Sequence, residues 1–225
     1  MIDYLNYGKQ VDGIPKELKN KPEIKVPSVG GWLEYKLNTQ EMNYVWRCVD
    51  KKSEDKVNNT LAGNIDSSFL LKDKDDWFFN NTLTPLINYY ENTFENLGRK
   101  VAVYSDDNTS IQYAMNTWWI NYQKQYEFNP PHLHTGVYSF VIWMKIPYEY
   151  EEQNKDNNSA AQVKGNFSFH YTNMFGEFSN ADYQLGKKYE GTMLLFPSKL
   201  VHEAYPFYNS EEDRISVSGN ISLKV

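Results

Sequence analysis

The chain lacks several things, and each absence narrows what it does. It holds a single cysteine, Cys48, among 225 residues. An intramolecular disulfide is therefore excluded, which fits a reducing compartment and a cytoplasmic setting, or a host cytoplasm if the protein is viral. No run approaches 18 apolar residues, so no membrane span is expected. Met1–Gln10 has no basic stretch followed by an apolar one, so no signal peptide is read there. Basic residues are outnumbered, 23 Lys and Arg against 29 Asp and Glu, for a net charge of −6. That balance disfavours a general binder of nucleic acid or anionic membrane. There is no internal repeat. Histidine is scarce too, at four residues, and the positions of three of them carry the argument.

Two histidines stand two residues apart in Asn129-Pro130-Pro131-His132-Leu133-His134-Thr135-Gly136, just before a long apolar run from Val137 to Ile146. In extended chain, residues i and i+2 face the same side. Pro130 and Pro131 hold the preceding backbone extended. His202 follows 70 residues after His132, after the apolar stretch Thr192–Phe196. Two close histidines and one distant one, each beside a strand, suit a mononuclear metal centre in a β-barrel. The competing reading is a pair of polar residues at a strand entrance. Arg214 opens the last strand pattern, with Ser216 at i+2. A guanidinium and a hydroxyl at that spacing suit a carboxylate ligand. The alternative is a surface ion pair with Glu211, Glu212 or Asp213.

A chain of this length suits one domain with an elaborate N-terminal extension and needs no covalent staples. Prolines 15, 22 and 27 make Met1–Gly31 irregular. Trp32–Leu37 alternates as a strand. Asn38 and Glu41 have capping-box spacing ahead of a helix over about Thr39–Lys52, with Met42, Val45, Trp46 and Val49 on one face. A second helical face is Leu83, Leu86, Ile87, Tyr90, Phe94 and Leu97. It begins either at Pro85 with Thr84 as N-cap or as a kinked helix near Asp76, and it stops at Gly98. Strand patterns then follow: Val101–Ser105, a turn at Asp106–Asn108, Met115–Tyr122, Val137–Ile146, Asn166–Tyr171, Gly191–Pro197 and Arg214–Val225. Tyr148–Lys164 is polar and acidic and reads as a long mobile loop at the rim. The expectation is an α+β protein: residues 1–100 form a helical and irregular extension, and residues 101–225 a double-stranded β-helix, the cupin-like jelly-roll barrel, buttressed by the N-terminal helices.

Three blocks in order, H-x-H-x-G, G-x-M-L-L-F-P-S-x-L-x-H and R-I-S-V-S-G-N-I, resemble the iron(II)- and 2-oxoglutarate-dependent dioxygenases. Within these the chain is similar to oxygenases common in marine bacteria and their phages. The resemblance covers about Trp118–Val225. It implies iron(II) held by His132 and His202, with the distal carboxylate of 2-oxoglutarate on Arg214 and Ser216. It also implies O2 as oxidant and oxidative decarboxylation to succinate and CO2 coupled to hydroxylation of a C–H bond. The family places a carboxylate where this chain has His134, so His134 either ligates or leaves its place to water. Asn121 or Tyr122 is a candidate to touch 2-oxoglutarate, and Tyr138 and Trp143 to line the barrel, although plain packing explains all four. Asn129 and Thr135 flank the histidines and are candidates to orient them. His170 reads as structural. Two other classes stay open: a three-histidine cupin enzyme without 2-oxoglutarate, and a jelly-roll binding or structural protein. The primary substrate is not legible; a protein, a peptide or a small molecule all fit.

Overall fold

The computed structural model describes residues 30–94, 96–97, 100, 111–156 and 158–224. The irregular lead-in before residue 30, the Val101–Ser105 strand and the Asp106–Asn108 turn lie outside the described residues, as does Gly98; the second helix ends at Thr93, where Phe94 turns extended, short of the stop expected at Gly98.

Among the described residues, ten strands form two antiparallel sheets. They are β1 (Leu33–Lys36), β2 (Ser68–Leu70), β3 (Tyr113–Gln123), β4 (Asn129–His132), β5 (Tyr138–Lys145), β6 (Phe167–Thr172), β7 (Phe178–Tyr183), β8 (Thr192–Pro197), β9 (Val201–Ala204) and β10 (Arg214–Leu223). The larger sheet runs β1-β8-β5-β10-β3-β2, and the smaller β4-β9-β6-β7. Both strands among the described residues before 100 join the larger sheet: β1 pairs with β8, and β2 with β3.

The larger sheet is buried on both faces, and its period of two sorts residues between two cores. Ile120, Phe140, Ile142, Met193, Leu195 and Val217 face one core. Val141, Trp143, Leu194 and Phe196 face the other, where they meet Phe167 and Phe169 of β6. The near-continuous apolar character of β5 follows from this double burial.

The first core is closed by helices α1 (Thr39–Val49) and α2 (Thr84–Thr93), through Val45, Cys48, Val49, Ile87 and Tyr90. The Asn38 side chain accepts from the Glu41 amide at 3.0 Å, and Glu41 accepts from the Asn38 amide at 2.8 Å, a complete capping box. Glu41 is buried, and the hydroxyls of Tyr35 and Thr82 donate to it. The second helix takes the kinked form. A π-helical turn over Phe79–Leu83 precedes α2, and the Thr84 amide bonds back to the Phe79 carbonyl. Thr84 is thus inside a helical run rather than capping it. The widened turn explains how Pro85, with no N–H and a bulky ring, is tolerated there.

The segment Tyr148–Lys164 is not the unanchored loop its composition suggests. It contains a short helix α3 (Tyr150–Asn154) with Gln153 and Asn154 buried. Gln153 Oε1 accepts from the Tyr208 amide at 2.7 Å, and Asn154 Nδ2 donates to the carbonyls of Tyr150 and Lys164. Its anchors are hydrogen bonds from polar side chains to backbone, which a count of apolar residues overlooks.

Candidate metal centre and anion cavity

His132 and His202 face each other because β4 and β9 pair with those two residues directly opposite. Directly opposed side chains in an antiparallel ladder share one face of the sheet. Their ring centroids are 4.3 Å apart. His134 lies just past the end of β4, where its amide donates to the Ser198 carbonyl at 2.8 Å. That bond brings its Nε2 to 3.2 Å from His202 Nε2. One ring nitrogen from each histidine lies within 4.8 Å of the others, a group fit to hold a metal ion.

The electrostatics suit a ligand set. Burial pushes His202 down to about 3 and His134 down to about 4, with repulsion from His132 adding to each. His132 is also lowered, chiefly by burial. All three are therefore neutral imidazoles at pH 7. His132 Nδ1 lies 2.7 Å from the Pro130 carbonyl and His202 Nδ1 2.9 Å from the Leu200 carbonyl. A neutral ring that donates from Nδ1 has its lone pair at Nε2, so both rings are pinned in the metal-binding tautomer. His134 has no such bond at Nδ1 among the described residues; the edge of Trp119 packs against it, centroids 5.9 Å apart. Three neutral imidazoles with convergent nitrogens fit iron(II), and nothing in the set repels a cation.

Behind the histidines a cavity opens between the two sheets. Asn121, Arg214 and Ser216 all line it, with Trp119, Gln123, Trp143 and Ser218. Arg214 is 2% exposed, so the surface-ion-pair reading fails; Glu212 pairs with Lys145 instead. Asn121 Oδ1 accepts from the Ser68 hydroxyl at 2.7 Å, which leaves its Nδ2 donors for a guest. Of the other candidates, Trp143 and Asn129 line the cavity. Tyr122 instead packs edge-on against Phe69, and Tyr138 against Tyr90 of α2. Thr135 lines a second, outer cleft that shares His132 and His134 with the cavity. His170 is not part of this group; its Nε2 meets Glu203 Oε1 at 2.8 Å and its ring stacks on Phe178.

Sequence reasoning missed Gln123, which accepts from Arg214, and the wall formed by Leu61, Ala62, Gly63 and Ile65. The wall has one local signal, Gly63: a Cβ there would lie 1.8 Å from Asn129 Oδ1. No helix among the described residues is long and apolar enough to cross a membrane.

Residues 117–220 match a family described as "Putative 2OG-Fe(II) oxygenase". No curated protein matches the chain in sequence. Among solved structures, an oxidoreductase of the 2OG-Fe(II) oxygenase family from Burkholderia pseudomallei is 12% identical, with a TM-score of 0.53 over 85% of this chain and 84% of that one. A viral collagen prolyl hydroxylase from Paramecium bursaria Chlorella virus-1, solved as a 2OG complex, is 10% identical, with a TM-score of 0.50 over 86% of this chain and 96% of that one. At such identities the likeness is one of fold. The matched stretch holds all three histidines, Asn121, Arg214 and Ser216, and through it the chain resembles the 2OG-Fe(II) oxygenases, whose cofactors are iron(II) and 2-oxoglutarate.

Proposed function

We propose that the protein is an iron(II)- and 2-oxoglutarate-dependent dioxygenase that hydroxylates a C–H bond. The observation that carries this reading is a pair of adjoining features: a neutral three-histidine cluster, and a cavity behind it with one buried guanidinium that has no carboxylate partner among the described residues. In this reading the two sheets are the halves of a double-stranded β-helix. Residues 101–225 are its core, and residues 1–100 are an extension that adds β1 and β2.

His132, His134 and His202 would hold the metal through Nε2. Arg214, Ser216 and Asn121 would receive 2-oxoglutarate: the guanidinium offers charge to the distal carboxylate, and the hydroxyl and amide offer donors. When bound, iron(II) would activate O2, which oxidises 2-oxoglutarate to succinate and CO2 with one oxygen atom and hydroxylates a C–H bond with the other. The protein's share is to hold these groups in register and keep water out. Phe167, Phe196 and Trp143 form the apolar wall that excludes it. The primary substrate would enter by the outer cleft, lined by Val57, Leu61, Leu70 and Leu133 with the hydroxyls of Thr60, Thr117 and Thr135. No charged side chain is in that lining, so an uncharged target group fits best, on a protein, peptide or small molecule.

The donor set by itself also suits a three-histidine enzyme that needs no 2-oxoglutarate; Arg214 is what favours the co-substrate. Anaerobic addition of iron(II) and then 2-oxoglutarate decides between them. A visible charge-transfer band that needs both additions, and succinate release in air, are expected. Iron binding with neither would leave the three-histidine reading.

A further inference from the structure

Arg214 donates all five of its N–H groups. Nε and Nη2 reach Gln123 Oε1 at 3.2 and 2.7 Å, and Nη2 also reaches the Tyr205 carbonyl at 3.1 Å. Nη1 reaches the Tyr148 hydroxyl at 2.6 Å and the Gly165 carbonyl at 2.9 Å. The periphery of the guanidinium is therefore full, yet every acceptor is a neutral oxygen. A buried charge arranged this way is hydrogen-bonded but not neutralised.

Of those four partners, only Gln123 lines the cavity. The other three sit behind the guanidinium, two as fixed backbone carbonyls and one as a buried tyrosine. Gln123 Oε1 grips Nε and Nη2 together, the two-pronged approach that a carboxylate oxygen makes to an arginine. The cavity is also tight, about 60 Å³, room for a few waters. A five-carbon dianion competes for that space with the side chains that line it. Gln123 ends β3, and besides its grip on Arg214 its amide is held by the Glu127 carbonyl, to which Nε2 donates at 2.5 Å, so those are the contacts an entering anion has to break.

We propose that Gln123 is a placeholder for the co-substrate. Its amide oxygen fills the fork of Arg214 in the empty protein and is displaced by the distal carboxylate of 2-oxoglutarate. Gln123 thereby sets the affinity for that dianion. The inference rests on the 2-oxoglutarate reading of the cavity.

The test titrates 2-oxoglutarate anaerobically into iron(II)-loaded protein for wild type, Gln123→Glu, Gln123→Met and Arg214→Lys, with iron(II) affinity measured alongside. Gln123→Glu tethers a carboxylate in the fork and should weaken 2-oxoglutarate at least tenfold with iron(II) affinity unchanged. Gln123→Met leaves the fork open and should tighten 2-oxoglutarate severalfold. Weaker binding in Gln123→Met would make the amide a support for Arg214 or a contact to the ligand, and would overturn the proposal; so would wild-type affinity in Gln123→Glu. If Gln123→Met does not fold, the near-isosteric Gln123→Glu decides alone. Wild-type affinity in Arg214→Lys would instead refute the 2-oxoglutarate reading beneath it.

Discussion

Replacing Arg214 separates its structural role from the anion-binding role proposed for it. Its five hydrogen bonds tie β10 to β3, to Tyr148 and Gly165, and to Tyr205 after β9. Bonds to a charged group contribute about 1.5–3 kcal/mol each. Arg214→Ala removes all five, a loss on the order of the whole stability of a typical protein, about 5–15 kcal/mol. That variant should not fold, and its loss of activity would teach nothing. Arg214→Lys keeps the charge and up to three of the bonds. Losing two costs roughly 3–6 kcal/mol, a drop in Tm of roughly 6–24 °C at this chain length. The lysine cannot present a planar fork to a carboxylate. Loss of a desolvated bidentate pair costs on the order of 2–4 kcal/mol. The 2-oxoglutarate Kd should therefore rise about 30- to 700-fold. Anaerobic titration of the iron(II)-loaded variant, below its melting range, measures this, with iron(II) affinity as control. A Kd within threefold of wild type in folded Arg214→Lys would refute the anion-site reasoning. An equal fall in iron(II) affinity would show that the residue acts on the histidines instead.

His132→Ala and His202→Ala should each abolish iron(II) binding while circular dichroism stays native, because the two rings form a cross-strand pair with both Nε2 lone pairs set by backbone carbonyls; wild-type affinity in either removes the site. His134→Ala should weaken iron(II) by more than the 10- to 100-fold typical of partners outside the coordination sphere, since its Nε2 converges with that of His202. A smaller loss on titration would place His134 outside the ligand set. Limited proteolysis should cut first in the exposed stretch 158–162 and spare Tyr150–Asn154, whose polar side chains are bonded to backbone; first cleavage inside α3, read by mass spectrometry, would show that those anchors do not hold it.

The sequence located the histidines, though the geometry that unites them is not the one its spacing suggested. An i, i+2 pair on one strand would have sufficed, but β4 ends at His132. His134 reaches the cluster through its amide bond to Ser198, and His202 through its register with His132, and both of those facts are long-range. The same limit hid Gln123. Its bond to Arg214 spans 91 residues, and no local pattern marks one glutamine among the polar residues of a strand end. One misreading and one omission have a common cause. Hydropathy alone makes Tyr148–Lys164 a loop, and it marks no strand at β7. Yet Gln153 is buried by hydrogen bonding, and Phe178 is exposed. Hydropathy tracks burial only where polar groups lack internal partners and apolar groups find neighbours.

Strand β10 shows why the chemistry was nonetheless legible. Arg214, Ser216 and Ser218 line the inner cavity, and Asn220 lines the outer cleft. The steps are two residues, about 7 Å each in a strand. Ser218 pairs with Trp119, whose ring edges His134. Arg214 thus lies roughly 13 Å along one strand from the position beside the histidine cluster. That separation is written directly into the order Arg-Ile-Ser-Val-Ser, because strand period converts sequence distance into distance in space. What the order cannot specify is which side chain from elsewhere fills the fork of Arg214 while the cavity waits, since that choice belongs to the pairing of β10 with β3.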